Sequence, residues 1–171
     1  AMSGRVFLYV QHLLGIGHLK RAAALSDAMT RAGMHVTVAS GGPAVPGLVI
    51  NAARIVQLPA VASADSSFKS LIDESGQPID EAWKARRRDR LLEAWHSAEA
   101  DALVIELFPF GRRQMRFELI PLLQAARAAA RPGKPRPVIV SSVRDMLGGG
   151  AKSPARQDAM LEAFDRYFDF L

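Results

Sequence analysis

The chain contains no cysteine, which excludes a disulfide framework and any thiolate-held metal. No run approaches the roughly 20 consecutive apolar residues that a membrane-spanning helix needs. Aromatic residues are sparse, with two tyrosines and two tryptophans. They are not interleaved with basic residues as in a base-stacking platform, so nucleic acid is not an expected partner. The opening AMSGRVFLYV has neither the basic flank nor the small-residue cleavage site of a secretory signal. Together with the missing cysteines this sets the expectation of a cytoplasmic protein. No histidine and carboxylate spacing suggests a dedicated metal site, and none is expected. A GxxxxGK[ST] phosphate loop is absent. Gly15-Ile16-Gly17 lacks the third glycine of a dinucleotide fingerprint, where Lys20 stands instead. The next strand-like run ends in Ala39-Ser40 rather than the acid that would hold a ribose.

What is present is enough for a core: 49% of the 171 residues are hydrophobic, within the usual span of one domain. The net charge of +5, from 22 basic and 17 acidic residues, favours phosphates or anionic surfaces as partners, or has no functional meaning. Arg5–Val10 is a nearly continuous apolar run, suiting a strand buried on both faces. Leu19, Ala22, Leu25, Met29 and Ala32 then recur at helical spacing, and Gly33 stands where a helix C-cap glycine is expected. Further strands are predicted at His35–Ala39, within Val49–Leu58, at Ala102–Leu107 and at Pro137–Ser141. Helices are predicted from Asp80 to about Glu99, over Met115–Ala130, and from the Ser153-Pro154 start to about Tyr167. Residues 59–79 show no strong period, with one helical turn expected over Ser67–Asp73. Gly148–Gly150 reads as a loop, and Phe168–Leu171 as the first residues of another strand. Alternating strands and helices argue for an α/β fold with a mostly parallel sheet covered on both faces. No internal domain boundary or repeat interrupts it.

In such a sheet, ligands bind outside the carboxyl ends of the strands. Three loops leave those ends with polar equipment: Gln11 to His18, Glu106 to Arg113, and Ser141 to Lys152. The first is unusual. Gly15-Ile16-Gly17-His18 opens a helix, and Lys20 and Arg21 follow where the helix dipole repels cations. An anion nearby would explain both, since helix N-terminal amides attract one; side chains spread into solvent would also explain them. His18 at a positive helix end is held neutral and able to act as a base, or serves structure alone. Leu13, Leu14 and Ile16 make this loop apolar, for contact with a lipid-like ligand or for packing, and His12 reads as structural. Arg86-Arg87-Arg88 and Arg90 read as a solvated helix face, with anionic lipid headgroups as the functional option.

"GIGHLKRAAALSDAMTRAGMHVTVASGG" resembles the start of the N-terminal domain of GT-B glycosyltransferases. It is most similar to bacterial predicted glycosyltransferases related to the enzyme that adds N-acetylglucosamine in lipid II synthesis. "ALVIELFPFGRRQMRFELIPLL" and "VIVSSVRDML" resemble segments of the same predicted family. The resemblance covers essentially the whole chain. One departure is the single GxGH where the lipid II enzyme has GGxGGH, which leaves the acceptor undetermined.

The resemblance implies a Rossmann-like three-layer α/β/α domain. Residues 1–171 would be the acceptor-side half of a two-domain enzyme whose donor-binding half lies outside this chain, leaving this part inactive by itself. The implied reaction moves a sugar from a nucleotide-sugar co-substrate, UDP-linked by expectation, to an acceptor with inversion and without a further cofactor. Such enzymes use the histidine of the Gly-His motif as general base, the position of His18, and orient it with an acid at a later strand end. Glu106 is the candidate orienter and Asp145 the runner-up; Glu106 as a capping or salt-bridged residue is the alternative. Gly15, Gly17, Lys20, Arg21 and Arg144 are candidate substrate contacts, Arg144 facing a phosphate or pairing with Asp145. Phe108 and Phe110 are candidates for an apolar acceptor wall or for core packing. A lipid-linked acceptor and peripheral contact with the inner membrane face are among the implied options. Gly17-His18-Leu19-Lys20-Arg21 is also similar to the GHxxR-type motif of GT-B nucleotide-sugar hydrolases. A hydrolase or epimerase, or a non-catalytic binding domain, therefore stands as the alternative.

Overall fold

A computed structural model describes residues 4–66, 70–143 and 153–171. Five parallel strands form the central sheet: β1 (Arg5–Val10), β2 (His35–Ser40), β3 (Arg54–Gln57), β6 (Ala102–Glu106) and β7 (Val138–Ser142), in the order β3-β2-β1-β6-β7. Among the described residues four α-helices flank it: α1 (Gly17–Arg31), α2 (Glu81–Ala98), α3 (Arg116–Ala128) and α4 (Pro154–Tyr167). The fold is the expected Rossmann-like α/β arrangement with a parallel sheet.

The alternation of β1 divides the core. Phe7 and Tyr9 face α2 and α3, packing with Leu91, Trp95, Leu119 and Leu122. Leu8 and Val10 face the other way, with Leu19 and Ala22 of α1 and Val36 and Val38 of β2. Because successive side chains in a strand point to opposite faces, one continuous apolar run serves both layers, as a sheet covered on both sides requires. Phe7 meets Trp95 edge to face at 5.6 Å. Asp80 caps α2, its carboxylate accepting from the Trp83 amide at 2.7 Å. Gly33 ends α1 at φ 83°, a conformation that glycine adopts without strain. Ser153 holds the N-cap position of α4 with Pro154 in the first turn, although its hydroxyl makes no capping bond. Phe170 makes a single parallel bridge to Val140, beside β7.

Two expectations are corrected. The helical turn expected over Ser67–Asp73 is not formed by its described part: Leu71–Ile72 is strand β5, antiparallel to β4 (Ala62–Ser63). Ser67 lies outside the described residues. The hairpin wins because Asp73 builds the next turn, accepting from the amides of Ser75 and Gln77. The basic run is also not one solvated face. Arg87 is fully buried beneath α2, while Arg86 and Arg90 are exposed. Its five N–H donors meet five acceptors: Glu118 twice at 2.8 Å, Gln11 Oε1 at 2.5 Å, and the carbonyls of Gly41 at 2.7 Å and Pro59 at 2.8 Å. The Tyr9 hydroxyl donates to the same Glu118 at 2.5 Å. Burial works against the charge on Arg87, but the Glu118 carboxylate outweighs it and raises the guanidinium above its ordinary value. Burial and Glu118 also push the Tyr9 phenol well up. Gly41 has to be glycine here, since a Cβ would collide with the Arg87 guanidinium and the Gln11 amide.

The strand order places the site. The chain lays β1, β2 and β3 outward in one direction, then returns to put β6 and β7 on the other side of β1. The connections leaving β1 and β6 therefore part at their carboxyl ends, and the crevice between them is where open α/β sheets bind ligands.

Candidate functional site

His18 and Glu106 stand on the two sides of that crevice. His18 is the second residue of α1, and Glu106 is the last residue of β6. His18 Nδ1 lies 3.2 Å from Glu106 Oε1. The Glu106 side chain is 1% exposed and that of His18 18%. An ionised carboxylate only accepts hydrogen bonds. A neutral His18 facing such a carboxylate would carry its proton on Nδ1 and leave the Nε2 lone pair free. A carboxylate on one ring nitrogen can orient an imidazole so that the other is able to accept a proton.

Arg21 closes the pair from the next turn of α1. Its Nη2 donates to the Val143 carbonyl at 2.8 Å and to Ser142 Oγ at 3.3 Å, beyond the end of β7. Its Nε lies 3.5 Å from Glu106 Oε1, an ion-pair distance rather than a formed hydrogen bond. A cation is tolerated near this helix start because the Glu106 carboxylate and a strand-end carbonyl lie beneath it. Lys20 is exposed. Its charge is spread toward water rather than into the pair. The helix start has no side-chain cap, and its first turn holds no acid. A Cβ on Gly15 would meet nothing within 4 Å, so local packing does not demand that glycine. Gly17 is the first residue of α1 and is exposed. In the apolar loop, Leu13 is buried and Leu14 exposed.

Gln11, His12 and Arg112 have partners that the sequence does not reveal. Gln11 follows β1, fully buried, and its backbone carbonyl accepts from Arg112 Nε at 2.5 Å. Arg112 adopts the left-handed conformation, with φ 60° and ψ 31°. Burial pulls its guanidinium below the ordinary arginine value, countered by the nearby Tyr9 and Glu106. His12 is buried against Gly42, where a Cβ would overlap its ring. Burial chiefly, helped by the Arg112 guanidinium and opposed by a backbone hydrogen bond at Pro43, lowers His12 below its usual range. The available signal was the punctuation FPFG before Arg112, which ends β6 in a tight reversal.

Phe108 and Phe110 are not brought to the His18–Glu106 pair. Phe108 is 1% exposed and packs on Phe168, and its carbonyl accepts from Ser141 Oγ at 2.8 Å. Phe110 packs on Phe164. With Pro109 they line a cavity of about 530 Å³ against α4, and neither His18 nor Glu106 belongs to its wall. Arg144 and Asp145 lie outside the described residues. Among the described residues no three histidine, aspartate or glutamate side chains converge as a metal site, and no helix is long and apolar enough to cross a membrane.

Neither a family model nor a curated protein matches the sequence. Solved structures do match the fold. SsfS6, a glycosyltransferase of Streptomyces sp. SF2575, superposes with a TM-score of 0.52 over 96% of this chain, at 16% identity. The fold is one that glycosyltransferases use. This chain spans 45% of the length of SsfS6. The calicheamicin glycosyltransferase CalG4 is matched over 97% of this chain and 43% of its own, at 18% identity and a TM-score of 0.43.

Proposed function

We propose that this chain is the acceptor-side domain of a GT-B glycosyltransferase, with a donor-binding domain outside residues 1–171. In this reading it moves a sugar from a nucleotide-sugar to an acceptor hydroxyl with inversion. The observation that carries the proposal is the His18–Glu106 pair at the parting of β1 and β6, with a buried carboxylate on Nδ1.

In the proposed step, Nε2 of His18 takes the proton of the acceptor hydroxyl as its oxygen attacks the anomeric carbon. The bond from that carbon to the diphosphate breaks, and the electron pair leaves with the nucleoside diphosphate. Glu106 holds the ring in the correct tautomer and stabilises the imidazolium that forms. Arg21 fixes Glu106 between β7 and α1. Amides at the helix start and nearby guanidiniums favour the negative charge that develops on the leaving group.

The test uses the longer protein that carries the donor domain. It is incubated with UDP-, GDP- and dTDP-sugars, with and without candidate acceptors, and release of nucleoside diphosphate is quantified. Acceptor-dependent release that falls about 10²–10⁴-fold in His18→Ala, the usual contribution of a general base, is the expected result. Equal release without acceptor would assign water as the nucleophile and a hydrolase as the activity. Release unaffected by the substitution would remove His18 from the chemistry.

A further inference from the structure

The geometry points to an oxyanion-binding subsite at Arg112, at the crevice edge beside the His18–Glu106 pair, which takes a carboxylate or phosphate group of a substrate. This rests on the acceptor-site reading above and adds to it the chemical class of what is bound.

A guanidinium has five N–H donors. Arg112 uses one of them, from Nε to the Gln11 carbonyl at 2.5 Å. Among the described residues its two terminal nitrogens have no hydrogen-bond or ion-pair partner. Neither nitrogen is a fully buried orphan: both reach solvent at the crevice edge, open to an incoming oxyanion. The nearest carboxylate, Glu106, meets His18 and Arg21 through Oε1, and its Oε2 makes no hydrogen bond to Arg112 or to any other described residue. Two guanidiniums thus face one carboxylate, beside a helix start that has no acid in its first turn. His12, the other buried group here, adds no negative charge, and burial holds it toward its neutral form.

The backbone holds Arg112 in place against its own preference. Leu107 at φ 72° and Arg112 at φ 60° bracket the loop. Between them Gly111 packs so closely on the Leu107 side chain that a Cβ would overlap it. The Nε anchor leaves the terminal edge of the guanidinium, the edge that meets carboxylate or phosphate oxygens side on. Arg113, its neighbour, is exposed and shares none of these contacts.

The test is calorimetric titration of this chain, at fixed ionic strength, with inorganic pyrophosphate, UDP and glucuronate. Because the readout is anion binding, it stands or falls without any sugar being transferred. The expected result is saturable binding of at least one probe, weakened about tenfold or more in Arg112→Gln, as loss of a charge-assisted contact implies. Arg113→Gln should change affinity by no more than about twofold, the scale of a screened surface charge. UDP binding tighter than pyrophosphate, with the same dependence on Arg112, would assign the subsite to the donor's diphosphate. Pyrophosphate binding as tightly as UDP would assign it to a phosphate group without a nucleoside, and glucuronate binding as tightly as UDP would assign it to an acidic acceptor. If Arg112→Gln does not fold, Arg112→Lys carries the test, with affinity below the parent because a point charge replaces a two-pronged one. Absence of binding by every probe would overturn the subsite, as would a folded Arg112 variant that binds all three like the parent.

Discussion

Two arginines meet the same glutamine in this domain, and their surroundings differ completely. Arg87 donates to the side chain of Gln11 and satisfies all five of its donors within the protein. Arg112 donates to the backbone carbonyl of Gln11 and leaves its terminal nitrogens without a protein partner among the described residues. The first network is closed. It ties β1, α2, α3 and the carbonyls beyond β2 and β3 into one rigid unit under the sheet edge. The second is open and lies beside the crevice. A buried charge that is fully paired, as Arg87 is, belongs to the architecture; the proposal above assigns the open edge of Arg112 to ligand binding.

The largest way to break this comparison is at the closed end. Arg87→Met would leave Glu118 buried without its counter-charge and should cost about 3–5 kcal/mol in urea unfolding. Adding Glu118→Leu should recover much of that loss, since removing both partners leaves no orphaned charge. A small loss in the single variant would show that Arg87 is no keystone.

At the open end the expectation is different. Arg112→Gly gives up one hydrogen bond, worth about 1 kcal/mol, and relieves a left-handed residue of roughly the same strain. Thermal unfolding should therefore stay within about 1 kcal/mol of the parent. A loss as large as that at Arg87 would mean that Arg112 is structural.

The smallest effect is at the far edge of the sheet. Asp169 bonds Arg136 at 2.6 and 2.8 Å and the Ile139 amide at 2.9 Å. The Arg136 guanidinium is the first cause that lowers its carboxyl, to about 2. A depressed acid contributes stability above its unfolded value, roughly 4, and loses that contribution as pH falls toward 2. The pair is partly exposed and screened, so Asp169→Asn should cost less than about 1 kcal/mol at neutral pH. Its effect should vanish near pH 2, as measured by urea unfolding across that range.

Sequence and structure agree where one physical signal decides. The apolar run of β1, the helical stripe from Leu19, the Asp80 cap and the strand–helix alternation each have a single reading, and the sheet follows from them. They part where identity depends on distant neighbours. Arg87 sits among three other arginines, and nothing local tells that its side chain turns inward; only Glu118, on another helix, makes that favourable. Phe108 and Phe110 flank a loop in the way an acceptor wall would, yet Phe168, just after α4, and Phe164 within it claim them. His18 and Glu106 could be nominated because each lies at a strand's carboxyl edge. Arg112 reads from the sequence only as a cation near a helix start, because its conformation is set by the reversal after β6 and its anchor by a backbone carbonyl 101 residues earlier.

The central claim is that Glu106 fixes His18 with its proton on Nδ1 and a free lone pair on Nε2. Long-range ¹H–¹⁵N correlation of the imidazole nitrogens in this chain, recorded at a pH where His18 is neutral, reads that directly. The account predicts a protonated Nδ1 and a bare Nε2, with the preference lost in Glu106→Ala. A proton on Nε2 in the parent chain, or a tautomer indifferent to Glu106, would contradict it.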